Sequence, residues 1–479
     1  MCYSMAMKKE ISAIQTSIDE ALSRGVATLI DPQGAFREKL LLKATGKYEK
    51  NIIIKFGVDP TRPDIHLGHA VVLRGLRRLQ DLGAKVIFLV GDFTAQIGDP
   101  TGKSKTRPEV EQAAVEENMK SYLAQVGAIL RTDADAFSWI RNSDWFYNVS
   151  DVGAGEGDVP IALFESEGKQ VTVKANADSF VGKAATYEAS RMQKTHLQQK
   201  TVRSITLRNF LSALRSVTHS RLVARDLFQD RLARGEELYM HEMMYPVLQG
   251  LDSHLIALLY GSCDLEVGGT DQLFNMIFSR DLMKGTGHDQ QSVAAFSLLV
   301  GIDGAEKMSK SLDNYVGITD TPTDMYGKIM SIPDSCIAPY FELCTYTPLS
   351  DIEVIKKELE NKNNNPRDAK MRLASEIVAI YHGEKAAKEA GERFAGAFKK
   401  GEMPDDAPCL KVSAGSPLLD VLYAAKIIES KSEGTRLMKA GAISIVSLEG
   451  EKITDTHYTI TASINLRVGK HRFVKLEVV

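Results

Sequence analysis

Four side chains in two distant stretches have the types and spacing to act on a phosphate-bearing substrate. His66 and His69 lie three apart in IIIKFGVDPTRPDIHLGH, residues 52–69. Leu67, Val71, Val72, Leu76 and Leu79 recur at helical spacing, and Pro60 and Pro63 bar a helix before Asp64, so the spacing predicts that both imidazoles share one face of a helix's first turn. That turn has unpaired backbone N–H groups and the positive end of the helix dipole, a setting suited to polyphosphate. Gly68 would let a flat ring approach the backbone. Lys307 and Lys310 lie in GIDGAEKMSKSLDN, residues 301–314, a loop with glycines ahead of Met308 as anchor and Ser309 and Ser311 as hydroxyl donors. Two ammonium groups on such a loop can close over a pyrophosphate whose charge grows in a transition state, which is electrostatic catalysis without an enzyme nucleophile. Taken singly, each pair also has a plain reading: histidines satisfied at a helix start, and lysines solvated on a loop.

Other polar groups cluster near strand and helix ends. GDFTAQIGDPTGKSKTR, residues 91–107, offers Asp92 and Asp99, then Lys103, Lys105 and Arg107. It is not a P-loop, because Ile97 stands where that pattern needs glycine. In LYMHEMMYPVLQGLDS, residues 238–253, Tyr245, Gln249 and Asp252 make a polar stripe on an otherwise apolar helix. In LEVGGTDQLFN, residues 265–275, a strand runs into Gly268 and Gly269, with Asp271 suited to a ribose hydroxyl and Gln272 to a carboxylate or carbonyl.

The elements that must position these groups read as an α/β protein. Ile52–Val58 and Lys85–Val90 are apolar runs typical of strands buried on both faces, separated by one helix. Strand, helix, strand is the unit of a doubly wound parallel sheet, which binds ligands at the carboxyl ends of its strands. Residues 1–50 read as a mainly helical segment. Residues 148–203 break the pattern with DVGAGEGD, an expected hairpin of IALFE and QVTVKA, and a polar helix near 183–200, and so read as an insertion. The GxGxG within it is a linker, since no buried strand feeds it. Prolines at 322, 333, 348 and 366 punctuate a run of helices over 321–400. A linker is expected at 401–417, followed by a small α+β domain at 418–479.

Composition sets outer limits. The 479 residues are 44% hydrophobic and 25% charged with a net charge of −3, values of an ordinary globular protein. No apolar run reaches about 18 residues, so no membrane span is expected. MCYSMAMKKE carries its lysines after its few apolar residues, unlike a signal peptide. Cysteines at 2, 263, 336, 344 and 409 form no metal-binding or disulfide spacing, which points to reduced thiols in a cytoplasm and no structural metal. From 410 onward, ten Lys and Arg face seven Asp and Glu, a basic end on an acidic chain.

With these motifs in order, the chain resembles a class I aminoacyl-tRNA synthetase, and more narrowly the bacterial-type tyrosyl enzymes. His66-Leu67-Gly68-His69 stands at the family's HIGH signature, and Lys307-Met308-Ser309-Lys310-Ser311 matches its KMSKS signature. Asp59-Pro60-Thr61, Gly98-Asp99-Pro100, Tyr245 with Gln249 and Asp252, and Gly268 to Gln272 match further tyrosyl-enzyme motifs. The resemblance implies a Rossmann-like catalytic domain over 51–320, a helical anticodon-side domain over 321–400 and an S-four-like RNA-binding domain over 418–479. It implies ATP as substrate with Mg2+, L-tyrosine, tRNA(Tyr) and a homodimer.

Carried over by motif, Thr61, His66 and His69 would meet ATP phosphates, while Lys103, Arg107, Lys307 and Lys310 would hold the departing pyrophosphate. Asp59, Gly68, Gly269, Asp271, Met308 and Ser309 would complete the ATP site. Asp99, Tyr245 and Gln249 would bind the substrate ammonium, Gln272 its carboxylate and Asp252 its phenol hydroxyl. Lys431, Arg436, Lys439, Arg467, Lys470 and Arg472 would face tRNA. Two departures stand out: Lys55 occupies the place where many relatives have a second phenol-binding tyrosine, and the insertion interrupts the region that forms the family's dimer interface. A tryptophanyl enzyme, another class I nucleotidyl transferase and a non-catalytic RNA-binding paralogue are the competing readings.

Overall fold

The computed structural model describes residues 2–60, 64–99, 112–146, 159–166, 169–175, 205, 207–285, 288–361, 365–398, 407–428, 430–446, 451–469 and 472–478. Thr61, Lys103, Arg107, Lys470, the polar helix expected near 183–200 and most of the insertion lie outside them. The chain divides into two compact units, Met1–Val300 with Lys307–Ile318, and Gly301–Glu306 with Thr319–Val479.

The first unit is built on a six-stranded sheet of β1 (Val26–Ile30), β2 (Ile52–Val58), β3 (Ala84–Val90), β4 (Phe137–Arg141), β5 (Leu265–Gly269) and β6 (Ser292–Phe296), in the order β1-β6-β5-β2-β3-β4. All pairs are parallel except β1 with β6. The apolar runs of β2 and β3 are buried on both faces, as parallel strands covered by helices require. From β2 the chain winds outward through β3 to β4, then returns to the other side of β2 to lay down β5 and β6. The strand order therefore reverses between β2 and β5, and the crevice at their carboxyl ends is where such a sheet takes a ligand.

Three helices matter most to that crevice: α1 (Leu67–Asp81) follows β2, α2 (Met240–Tyr260) precedes β5, and α3 (Leu273–Gly285) follows it. Leu67, Val71, Leu76 and Leu79 of α1 are buried, as their spacing predicts. Helix α1 presses so closely on the sheet that a Cβ added at Gly75 would lie 2.2 Å from Cζ of Phe296 on β6. Only a residue without a side chain lets backbone and ring approach that closely.

The N-terminal segment departs from the helical expectation. Between helices Cys2–Ser23 and Ala35–Ala44, VATLI forms β1, the antiparallel edge of the sheet. Its residues alternate between half-buried and exposed, so it lacks the apolar run that betrays the central strands.

The second unit contains helices Pro322–Met330, Ile337–Cys344, Leu349–Glu360, Pro366–His382 and Glu384–Phe398. Tyr326, Tyr340, Phe341, Leu373 and Ile377 form part of their buried core. Near the C-terminus, strands Ile443–Ile445, Ile464–Val468, Arg472–Val478 and Cys409–Val412 make a four-stranded sheet in that order. Leu418, Leu422, Met438, Leu466 and Val474 pack together beside it. Cys409–Val412 pairs in parallel with Arg472–Val478, so these four residues of the expected 401–417 linker belong to this sheet. Within the insertion, Val159–Ser166 and Lys169–Ala175 form the expected antiparallel hairpin.

Because Phe296 is only 1% exposed and has nowhere to move, Gly75→Ala should destabilise the fold by about 1–3 kcal/mol. Gly327→Ala, at a helical site with open space around the new Cβ, should be neutral or stabilise by about 0.5–1 kcal/mol. Thermal unfolding of the two variants beside the parent checks both.

Candidate functional site

The crevice is a cavity of about 760 Å³, within the size range of small-molecule sites. Every described residue that the sequence assigns to nucleotide or amino acid lines it. Thr61, Lys103 and Arg107 are outside the described residues.

One region of the cavity is organised by acidic side chains in hydrogen-bonded sets. Asp59, just past β2, accepts from Thr94 Oγ1 at 2.8 Å and from the Tyr245 hydroxyl at 2.7 Å. A Cβ at Gly91 would lie 2.0 Å from Asp59 Oδ1, so glycine there is what lets the carboxylate sit against the end of β3. Asp99 accepts from Gln272 Nε2 at 2.5 Å and lies 4.0 Å from the buried Arg225, whose guanidinium rests on Phe228 and Phe274.

Asp252 is the most enclosed of the candidates, with 3% of its surface exposed. Trp145 Nε1 donates to its Oδ1 at 2.9 Å and Asn142 Nδ2 to its Oδ2 at 3.4 Å. Asn142 Nδ2 also donates to Thr94 Oγ1 at 3.0 Å, linking Asp252 through Thr94 to Asp59. Burial raises the Asp252 carboxyl to about 7 against the opposing pull of the Lys55 ammonium and these donors. Lys55 is itself buried on β2, 2.8 Å from Glu266 on β5.

A second region gathers the histidines and lysines. His66 caps α1, its backbone N–H donates to His69 Nδ1 at 3.3 Å, and the two rings lie 3.8 Å apart. Burial first, then His69 and the Lys310 ammonium, push His66 down to about 2. Burial, Lys310 and Lys307 push His69 to about 4. Both imidazoles are therefore neutral at pH 7 and can give a phosphate hydrogen bonds while the positive charge comes from the lysines. Lys307 Nζ is 3.1 Å from Asp271, and Lys310 Nζ is 2.9 Å from Asp64. In each pair one member is nearly half exposed to solvent, Lys307 at 43% and Asp64 at 45%, so both pairs are open to exchange with a polyanion.

The loop carrying these lysines is anchored. Met308 is buried, and its N–H donates to Leu299 O at 2.7 Å. Asn314 accepts from Ser309 N at 2.7 Å and donates to Lys307 O at 3.2 Å, closing the loop on itself. Beyond it, Leu67 N donates to Val316 O and Ile318 N to Ile65 O, which ties the loop to the start of α1.

The basic C-terminal residues have mixed surroundings. Lys431, Arg436 and Lys439 are exposed, with Lys431 paired to Asp420 at 2.7 Å, and Arg467 is half-buried. Arg472 donates to Ile427 O at 2.6 Å and pairs with Glu433 at 2.7 Å, so it braces this small domain. Lys470 lies outside the described residues.

Sequence reasoning passed over Asn142, Trp145, Thr94, Arg225, Glu266 and Asn314. The first two follow directly on β4, and position at the carboxyl end of a buried strand was the signal available for them. Among the described residues no group of three or more His, Cys, Asp or Glu is arranged to hold a metal ion, and no helix is long and apolar enough to cross a membrane.

A family model described as tRNA synthetases class I (W and Y) matches residues 47–152 and 167–399. The chain is 39% identical over 446 residues to a tyrosine–tRNA ligase of Colwellia psychrerythraea, covering 92% of this chain and 94% of the relative. It is 36% identical over 469 residues to one of Mannheimia succiniciproducens, covering 98% of each. A C-terminally truncated mitochondrial tyrosyl-tRNA synthetase from Coccidioides posadasii superposes with a TM-score of 0.53 at 20% identity, covering 80% of this chain and 93% of that one. The tyrosyl-tRNA synthetase of Archaeoglobus fulgidus gives 0.51 at 18%, covering 79% and 99%. At such identities the two structures speak to the fold.

A carboxyl whose folded-state value is raised weakens the fold once it ionises, above about 7 here, and stops doing so as pH falls toward its ordinary 3.8. The thermal midpoint of Asp252→Asn should therefore gain on that of the parent as pH rises from 4 to 8. Unfolding curves across that range check the sign.

Proposed function

We propose that this chain, which belongs to the class I tRNA synthetases (W and Y), works as a tyrosine–tRNA ligase. One observation carries the reading beyond the relatives' names. A single cavity joins a buried, hydrogen-bonded carboxylate, Asp252, to a helix N-terminus faced by two loop ammonium groups. The first suits a phenol hydroxyl and the second a triphosphate, as a tyrosine-activating enzyme needs.

In the first step a tyrosine carboxylate oxygen attacks the α-phosphorus of ATP, which enters with its Mg2+ as substrate. The bond to the bridging oxygen breaks, leaving tyrosyl-adenylate and pyrophosphate. Asp252 accepts the phenol hydrogen bond, Asp99, Tyr245 and Gln249 bind the ammonium, and Gln272 holds the carboxylate. Asp59, Gly68, Gly269, Asp271, Met308 and Ser309 form the nucleotide site. Thr61, His66 and His69 meet the phosphates, and Lys103, Arg107, Lys307 and Lys310 stabilise the charge gathering on the leaving pyrophosphate. Phenylalanine would leave Asp252 without its phenol partner in a buried site, and that loss is the basis of discrimination.

In the second step the terminal ribose hydroxyl of tRNA(Tyr) attacks the tyrosyl carbonyl and AMP leaves. We assign the catalytic domain to residues 51–320 together with the preceding segment that supplies β1, an anticodon-side domain to 321–400 and an RNA-binding domain to the C-terminal sheet and its helices. Lys431, Arg436, Lys439, Arg467 and Lys470 are the proposed tRNA contacts, with Arg472 bracing them. A homodimer is supported by Leu207 and Leu211, apolar and exposed on helix Leu207–Leu214. The free thiols of Cys263, Cys336, Cys344 and Cys409 are in keeping with a cytoplasmic enzyme.

The direct test is charging of tRNA(Tyr) with labelled tyrosine. The full chain should form tyrosyl-tRNA, whereas a chain ending at residue 409 should keep tyrosine activation but charge tRNA weakly. Failure of the full chain to charge would reject the reading, and undiminished charging by the short one would reject the tail's role. Separately, Lys307→Ala should slow adenylate formation by orders of magnitude with little change in tyrosine affinity, because this ammonium acts on charge that develops in the transition state. Pre-steady-state activation rates with a tyrosine titration measure both.

A further inference from the structure

Lys55 is a lysine in the middle of a central strand, 1% exposed, and the mechanism above gives it no task. Its partner Glu266 is 2% exposed and is its register neighbour on β5, so the two side chains lie on the same face of the sheet. Removing two charges from water is costly, and a fold alone is served as well by apolar side chains of the same volume. A buried pair in the lining of the substrate cavity therefore calls for a reason beyond stability.

The hydrogen bonds show what it does. An ammonium has three N–H donors. Those of Lys55 go to Gln249 O at 2.7 Å, Ser253 Oγ at 2.8 Å and Glu266 Oε1 at 2.8 Å. None remains for a substrate, so Lys55 is not a substitute phenol ligand. Two of the three bonds fall on the stretch of α2 that carries Gln249 and Asp252. Glu266 Oε1 also accepts from Gln249 Nε2 at 3.0 Å, and its Oε2 accepts from Gln291 Nε2. With Nε2 committed, Gln249 offers the cavity its Oε1, an acceptor suited to a substrate ammonium.

We propose that the Lys55–Glu266 pair is a specificity-determining positioning device, which fixes Gln249 as an acceptor for the tyrosine ammonium and holds Asp252 as the carboxylate that receives the phenol. The proposal rests on the tyrosine reading of the site. The charged and titratable groups facing Asp252 are Lys55 from β2, Glu266 from β5 and Tyr245 from its own helix, with Trp145 and Asn142 as neutral donors. Lys55 favours the ionised form of Asp252 and Glu266 opposes it.

The two members of the pair therefore predict opposite effects. Glu266→Gln leaves the ammonium uncompensated beside Asp252, and the acid limb of kcat/KM for tyrosine should move to lower pH. The neutral double variant Lys55→Met/Glu266→Gln removes both charges at nearly the same volume, and the limb should move to higher pH. In the double variant the tyrosine KM should rise about tenfold or more, with the kcat of tyrosine-dependent pyrophosphate exchange and the KM for ATP little changed, and the preference for tyrosine over phenylalanine should fall. Thermal unfolding establishes that each variant is folded, and either variant alone still gives a limb shift of stated direction. Shifts in the same direction, no shift, or tyrosine and ATP KM values rising together would overturn the proposal. The parent is assayed alongside: absence of tyrosine-dependent exchange in the parent would instead overturn the functional reading beneath it.

Discussion

A carboxylate sealed from water must be satisfied by hydrogen bonds or give up its charge, and Asp252 stands where the two outcomes balance. Its neighbours come from three separate parts of the sheet: Lys55 from β2, Asn142 and Trp145 from the end of β4, and Glu266 from β5. The doubly wound topology is what brings these side chains together beside α2. The crevice also receives Asp59 and Asp99, so the buried polar groups form a connected set in which moving one disturbs the partners of another. Such sets are costly to half-satisfy, which makes the constellation specific.

The histidine and lysine region follows a different rule. Its cations are held by ion pairs that are each open to solvent at one member, while the imidazoles are kept neutral by burial and by those same cations. The Asp252 end is thus held by buried hydrogen bonds, whereas the lysines of the other end have carboxylate partners that a polyanion could replace. That division suits a reaction whose specificity lies in one substrate and whose charge redistribution lies in the other. The anchoring of the loop through Met308 and Asn314 keeps both lysines within reach of the crevice without fixing either head group.

The parts of this arrangement written locally were legible in the chain. The apolar runs of β2 and β3, the helical spacing after His66 and the punctuating prolines led to the right elements, and the polar stripe Tyr245, Gln249, Asp252 does line the cavity. What escaped depends on contacts between distant segments. Asn142 and Trp145 look like any short polar stretch until β4 carries them to Asp252. Lys55 contradicts the pattern of a buried strand, and its register with Glu266 and its bonds to α2 explain how it is tolerated. Strand β1 was missed because an edge strand needs little apolar surface, and Cys409–Val412 because a short strand inside a proline-rich stretch reads as linker. Arg472 was named by charge alone, and its bonds to Glu433 and to the Ile427 carbonyl could not be read from the chain.

The central claim is that one cavity activates tyrosine with ATP, and the most direct measurement is amino-acid-dependent exchange of labelled pyrophosphate into ATP. Tyrosine, tryptophan, phenylalanine and no amino acid would be run side by side on the full chain. The account predicts exchange with tyrosine and background with the other three. Exchange supported equally by tryptophan, or none with any amino acid, would contradict it.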